Sequence, residues 1–124
     1  MQPKTVLKPW GYEQHFPDQT NTKDKTISYR QKTLVVYPKE SISLQYHFNR
    51  DEIWKVLFGR GIIIIDKQEY LAYPGTKWHV GRKQLHRLIA SKEEAIVVEE
   101  ESFGDVWNED DIVRIEDKYR RLAS

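Results

Sequence analysis

Residues Ser41–Gly59 read SISLQYHFNRDEIWKVLFG and hold Gln45, His47 and Glu52 between two apolar runs. Side chains alternate faces along a strand, so Gln45 and His47, two apart, point the same way. The polar FNRD segment reads as a turn, and Glu52 opens the next apolar run, IWKVLF. An antiparallel hairpin of this form predicts Glu52 folded back beside the first two. An amide oxygen, an imidazole and a carboxylate would then converge, a donor set suited to a divalent metal. A fourth donor must come from farther along, and His86 in QLHRLIA is the best placed. Taken singly, a His near a strand end is usually a satisfied polar residue, and Gln or Glu in a turn is usually solvated. The joint spacing with a downstream His in a strand-like run is what raises the set above that background.

Working outward, 124 residues predict one domain, long enough to close a core without covalent staples. The absence of cysteine excludes a disulfide framework and any thiolate metal site. Lys and Arg number 20 against 19 Asp and Glu, which gives no case for general nucleic-acid binding. The most apolar run, Gly61–Ile65, is far too short to span a bilayer, and MQPKTVLKPWGYEQ lacks the apolar centre of a signal peptide. A cytoplasmic protein with no membrane partner is expected.

Residues 1–9 read as irregular, because Pro3 and Pro9 restrict them. Lys8–Phe16 reads as a short strand or packing arm, and Pro17–Thr26 as a polar loop. Tyr29–Pro38, the two arms of the central stretch, GIIIID, QEYLAY, TKWHV, QLHRLIA and Ala95–Ser102 all read as strands. Asp66-Lys67 and Pro74-Gly75 supply turns. Many short strands with turn signals between them call for an all-β sandwich or barrel. The tail differs. Asn108 could cap a helix whose first turn holds Glu109, Asp110 and Asp111 and whose last holds Lys118, Arg120 and Arg121. Ile112, Ile115 and Tyr119 would share its face, with Glu116–Arg120 and Asp117–Arg121 as i,i+4 pairs. The expected organisation is an arm and loop over 1–28, a β-barrel over 29–103 and a C-terminal helix over 108–122.

With these residues assembled, the sequence resembles the cupin domain of type II mannose-6-phosphate isomerases. That domain is usually the C-terminal part of bifunctional mannose-1-phosphate guanylyltransferase/phosphomannose isomerases. The likeness runs from KPWGYE through VVYPKESISLQYHFNRDEIWKVLFGRG and HRL to NEDDIVRIEDKYRR. Gln45-x-His47, four residues, Glu52, six residues and Gly59 match the first cupin motif, and Gly75 precedes His86 by the eleven positions of the second. SLQ-x-H with R-x-E-x-W, and the EDDIVR-x-ED-x-Y tail, belong to the isomerase branch.

The resemblance implies a double-stranded β-helix, the cupin jelly roll, with one metal at the mouth of a pocket. It implies Gln45, His47, Glu52 and His86 as the metal ligands. Zinc is the ion it suggests, although such a donor set also accepts Mn, Fe, Co or Ni. It implies interconversion of mannose 6-phosphate and fructose 6-phosphate, in polysaccharide or nucleotide-sugar synthesis, and a homodimer. Arg50 and Arg87 are the leading catalytic or phosphate-binding candidates, with Arg114, Lys118 and Arg121 behind them. His79 and Glu13 are candidates for the base, although each suits a structural role as well. Trp54 shares parity with Glu52 and lines the pocket or packs the core, whereas alternation turns Arg87 away from His86.

The chain departs from the family at Phe48, Asn49 and Ile53, where histidines are common, and at Gly81-Arg82-Lys83, Lys39 and Arg120. A nucleotidyltransferase domain is not part of the sequence, so guanylyl transfer is not implied. A non-catalytic, metal-containing cupin that binds a sugar or a sugar phosphate is the second reading. A metal-dependent oxygenase is the third, disfavoured by Gln45 in place of a histidine.

Overall fold

The computed structural model describes residues 2–17, 28–104 and 111–119. Their strands are β1 (Lys4–Lys8), β2 (Gly11–His15), β3 (Ser28–Val36), β4 (Leu44–Tyr46), β5 (Arg50–Phe58), β6 (Gly61–Ile65), β7 (Gln68–Ala72), β8 (Lys77–Val80), β9 (His86–Ala90), β10 (Ile96–Gly104) and β11 (Val113–Glu116). A six-stranded sheet runs β1-β2-β3-β10-β5-β8, and a five-stranded sheet runs β11-β4-β9-β6-β7. Every pairing is antiparallel. Among the described residues there is no helix.

Turn chemistry fixes several registers. Asp66 and Lys67 take φ of 48° and 70°, the paired left-handed conformation of a tight hairpin turn, and β6 and β7 pair directly across them. Gly59 has φ of 82°, and a Cβ there would fall 1.9 Å from the carbonyl oxygen of Ala95, so only glycine fits.

The inner faces divide lengthwise. At one end Leu34, Val36, Val56, Ile96 and Val98 of the six-stranded sheet meet Ile63, Ala72, Leu88 and Ala90 of the five-stranded sheet. Burying each Val, Leu or Ile contributes roughly 1.5–3 kcal/mol, so this half holds the barrel closed. At the other end the same parity continues in polar residues. On β5 the buried positions run Arg50, Glu52, Trp54, Val56, and on β10 they run Ile96, Val98, Glu100, Ser102. Each strand therefore has an apolar end and a polar end on one face, and the polar ends line a cup.

Three expectations change. β4 and β5 do not form a hairpin, because they belong to different sheets and the segment between them turns a corner. Glu52 thus reaches Gln45 and His47 across the barrel rather than along a shared ladder. The segment before Pro9 is not irregular where it is described, since Lys4–Lys8 form β1. β1 lies between Pro3 and Pro9 and, as an edge strand, pairs only with β2, so neither proline removes a ladder hydrogen bond.

The C-terminal helix is absent from the described residues, and Val113–Glu116 form β11 instead. Ile112, Val113 and Ile115 are β-branched and poor helix formers, while the open edge of β4 offers backbone partners at Val113↔Tyr46 and Arg114↔Gln45. Lys118 donates to Glu40 at 2.9 Å, holding the segment down. Asn108, Glu109, Asp110, Arg120, Arg121 and Leu122 lie outside the described residues.

Candidate metal centre

Register places the donors. Gln45 on β4 pairs with His86 on β9, so the two share the inward face of the five-stranded sheet. Glu52 faces them from β5 in the opposite sheet. His47, just past the end of β4, completes the group. Ligand atoms of His47, Glu52 and His86 all lie within 4.8 Å of one another, and all three residues are buried.

Hydrogen bonds assign the tautomers. Nδ1 of His47 donates to the carbonyl of Asp111 at 2.5 Å, and Nδ1 of His86 donates to the carbonyl of Gln84 at 3.0 Å. Both Nε2 atoms are left with lone pairs; that of His86 faces Glu52 at 3.6 Å, and that of His47, 3.8 Å from Glu52, accepts from Arg50 at 3.2 Å. Burial lowers both imidazole pKa values, that of His47 to about 3, with the Arg50 charge adding to the effect. The rings are therefore neutral at ordinary pH. Neither gap to Glu52 is a hydrogen bond, since the acceptors have no proton to share. Nε2 of His86 is buried without a hydrogen-bond partner among the described residues.

Lone pairs pointed at a carboxylate repel unless a cation lies between them. Donors about 2.0–2.2 Å from a tetrahedral ion stand about 3.3–3.6 Å apart, close to the spacings found. The residues therefore fit a divalent metal. Gln45 can add to the set: its amide nitrogen donates to Ser43 O at 3.3 Å, which leaves Oε1 as a donor to an ion.

The neighbours of Glu52 fix its carboxylate. Trp54 Nε1 donates to Oε1 at 3.2 Å, Arg50 Nε pairs with Oε2 at 3.1 Å, and Ser102 Oγ lies 3.4 Å from Oε2. Arg50 also reaches Nε2 of His47 at 3.2 Å. Trp54 stands edge-on to His86 at 5.4 Å. A cavity of about 50 Å³ opens beside these groups, lined also by Lys8, Glu13, Lys32, Glu100 and Arg114.

Glu100 is absent from the sequence-based candidates. It is 4% exposed, and Ser102 Oγ donates to it at 3.1 Å. Burial, reinforced by the charge of Glu52, pushes its pKa up to about 8. Lys32, opposite Glu100 in register, is equally buried and lies 3.5 Å from Glu13. For Glu13, burial acts upward but is outweighed by the His15 hydrogen bond and the Lys32 charge, which bring its pKa down to about 2.

Of the other sequence candidates, Arg50, Trp54, Arg114 and Glu13 line the cavity. Arg87 does not. It lies on the outer face of its sheet, donating to Ile42 O at 3.2 Å and Glu116 O at 3.0 Å. His79 is exposed on β8, Lys118 is exposed and held by Glu40, and Arg121 lies outside the described residues.

Known proteins resemble this chain in sequence and in fold. Residues 1–117 match the family described as mannose-6-phosphate isomerase C-terminal. The alginate biosynthesis protein AlgA of Pseudomonas aeruginosa is 29% identical over 118 residues, covering 95% of this chain and 23% of that protein. The mannose-1-phosphate guanylyltransferase ManC of Salmonella typhimurium is 28% identical over 119 residues, again covering 23% of its length. The chain thus spans about a quarter of the curated relatives it matches. Among solved structures, the capsular polysaccharide assembling protein CapF of Staphylococcus aureus superimposes with a TM-score of 0.76 at 12% identity, over 92% of this chain and 34% of that one. A cupin protein of Bacteroides fragilis superimposes with a TM-score of 0.58 at 16% identity, over 65% of this chain and 70% of that one. With its two antiparallel sheets and a match across nearly its whole length, the chain has the cupin fold and belongs to the mannose-6-phosphate isomerase C-terminal family.

Proposed function

We propose that this chain interconverts mannose 6-phosphate and fructose 6-phosphate with the help of one divalent metal, zinc being the ion we assign. The observation that carries the reading is the pair of Nε2 lone pairs, from His47 and His86, converging on Glu52 inside a polar cup. The bound metal would polarise the sugar oxygens and stabilise the negative charge that develops when a proton leaves carbon. His47, His86, Glu52 and Gln45 would hold it.

The remaining chemistry belongs to the chain's own residues. Aldose–ketose isomerisation moves a proton between C1 and C2 through an enediol. A group that titrates near neutrality serves best, because it can take a proton and return it. Glu100, with its pKa pushed to about 8, meets that requirement better than the exposed His79 or the strongly acidic Glu13. Arg50 holds the Glu52 carboxylate in place and presents a cation to the oxygens of a sugar. Trp54 walls the cavity and fixes Oε1 of Glu52. Arg87 and Lys118, occupied outside the cup, are assigned structural roles.

The purified chain, supplied in turn with Zn, Mn, Co or Fe, should form fructose 6-phosphate from mannose 6-phosphate in a coupled assay. Chelation, His47→Ala and His86→Ala should each abolish it. A second reading, a cupin that binds a sugar phosphate without converting it, is favoured by the small cavity and by Phe48, Asn49 and Ile53. At about 10–15 Å³ per water, about 50 Å³ holds only a few waters, so most of a hexose phosphate would project outward. Metal and sugar-phosphate binding without turnover would select that reading.

A further inference from the structure

We propose that Arg114, assisted by Lys8, forms an oxyanion subsite in the cup that receives the phosphate monoester of the ligand. The assignment of a sugar phosphate as that ligand rests on the function proposed above. The subsite itself rests on register and on hydrogen-bond accounting. Arg114 on β11 pairs with Gln45 on β4, and directly paired residues share a face. Its side chain therefore enters the cup on the same face as Gln45, one strand removed from His86, and it lines the cavity.

The carboxyl groups of the cup already have partners. Glu13 is engaged by His15 at 2.6 Å and by Lys32 at 3.5 Å. Glu52 is engaged by Arg50 and Trp54, and Glu100 by Ser102. Arg114 Nε, by contrast, is buried and meets no acceptor among the described residues. A buried N–H without an acceptor is costly, and native proteins rarely keep one. An acceptor that arrives with the ligand removes the cost. A guanidinium selects for that acceptor a planar-fork partner with several oxygens, which is what a phosphate monoester offers. Lys8, half-buried at the end of β1, lines the same cavity and adds a second cation. The lining holds four cations (Lys8, Lys32, Arg50 and Arg114) against three carboxylates (Glu13, Glu52 and Glu100), a balance that favours an anionic guest.

This placement orients the ligand. The phosphate lies on the β4–β11 side of the cup. The subsite is independent of the metal donors, so it must bind anions with the metal removed.

The test titrates the full chain, with chelator present, against inorganic phosphate, mannose 6-phosphate and mannose. Trp10 and Trp54 line the cavity, so intrinsic fluorescence reports its occupancy. Arg114→Gln should weaken inorganic phosphate binding at least tenfold and leave mannose unaffected. Arg114→Lys, which keeps the charge but loses the fork, should show an intermediate loss. Lys8→Gln, at the end of an edge strand, should weaken phosphate several-fold and serves if Arg114→Gln fails to fold. Phosphate binding that is unchanged in these variants, or absent from the parent at millimolar concentration, would overturn the subsite. Phosphate binding that depends on Arg114 in a chain that isomerises nothing would keep the subsite and remove the isomerase. Isomerisation with an unchanged KM in Arg114→Gln would do the reverse.

Discussion

Nε2 of His86, on one sheet, points at Oε1 of Glu52, on the other, across 3.6 Å with no proton between them. The two sheets thus present facing electron pairs in a buried place, where the repulsion is least screened. A cation between them turns this into attraction, which gives the first prediction. Zinc added to chelated protein should raise its melting temperature by mass action on the folded state. Glu52→Gln and His86→Ala should each remove that rise and the bound metal measured by elemental analysis. A metal content unchanged in both variants would refute the centre.

Arg50 supplies the second prediction, because it competes for the same electron pairs. Its guanidinium lies 3.2 Å from Nε2 of His47 and 3.1 Å from Oε2 of Glu52. One lone pair cannot accept from Arg50 and bind a metal together, and the two cations repel. Arg50→Met should therefore tighten zinc binding several-fold while reducing turnover at least a hundredfold. In chelator the same variant should lose about 3–5 kcal/mol, since Glu52 is left as a buried, uncompensated charge. Metal should restore more stability to it than to the parent. Calorimetry with and without chelator measures each part.

The third concerns pH, for protein in chelator. His47 titrates at 6.5 when exposed and near 3 in the fold, so between those values the unfolded chain binds a proton that the folded chain refuses. Its contribution is present above pH 6.5 and is lost as pH falls toward 3. His86 is shifted in the same direction. Glu100 acts oppositely. Its pKa moves from 4.5 to about 8, so its contribution is present below pH 4.5 and is lost as pH rises through 8. Between pH 4.5 and 6.5 His47 offsets Glu100 and His86 tips the balance toward loss on acidification. Between 6.5 and 8 Glu100 acts alone among these three. Stability from denaturant melts should therefore peak near pH 6.5. Glu100→Gln should flatten the alkaline side and steepen the slope between pH 4.5 and 6.5, where Glu100 no longer offsets His47, and an alkaline slope unchanged by that substitution would contradict the assignment.

Much of this was open to reading in the sequence, and the exceptions have physical causes. The strands showed because alternation is local: Gln45 and His47 share parity, and Asp66-Lys67 announces its turn. The partner of a strand is not local, so Glu52 was expected beside β4 in a hairpin, whereas it reaches His47 from the opposite sheet. The tail misled because acidic residues before basic ones imitate the charge pattern of a helix. Ile112, Val113 and Ile115 carried the opposing signal, and the free edge of β4 decided between them. Glu100 was legible in principle, since it shares parity with the core residues Ile96 and Val98. Its charge suggested solvent instead, because a buried carboxyl looks anomalous until its neighbours are known.

The last prediction concerns Asp111, which no sequence argument picked out for the site. Its carboxylate accepts from the backbone N–H groups of Phe48 and Asn49 at 2.9 and 3.0 Å, and its carbonyl accepts from Nδ1 of His47 at 2.5 Å. One residue therefore pins the corner between β4 and β5 and sets which nitrogen of His47 carries the lone pair. Such outer contacts to a metal-binding histidine are commonly worth 10–100-fold in metal affinity. Asp111→Ala keeps the carbonyl but frees the corner, so zinc affinity should fall about tenfold. Hydrogen bonds to a charged group contribute about 1.5–3 kcal/mol, and stability in chelator should drop by a comparable amount. Asp111→Asn, which keeps one acceptor oxygen, should recover part of both. Should Asp111→Ala lose stability while zinc binds as tightly as before, the corner would be structural alone, with His47 held by its own surroundings.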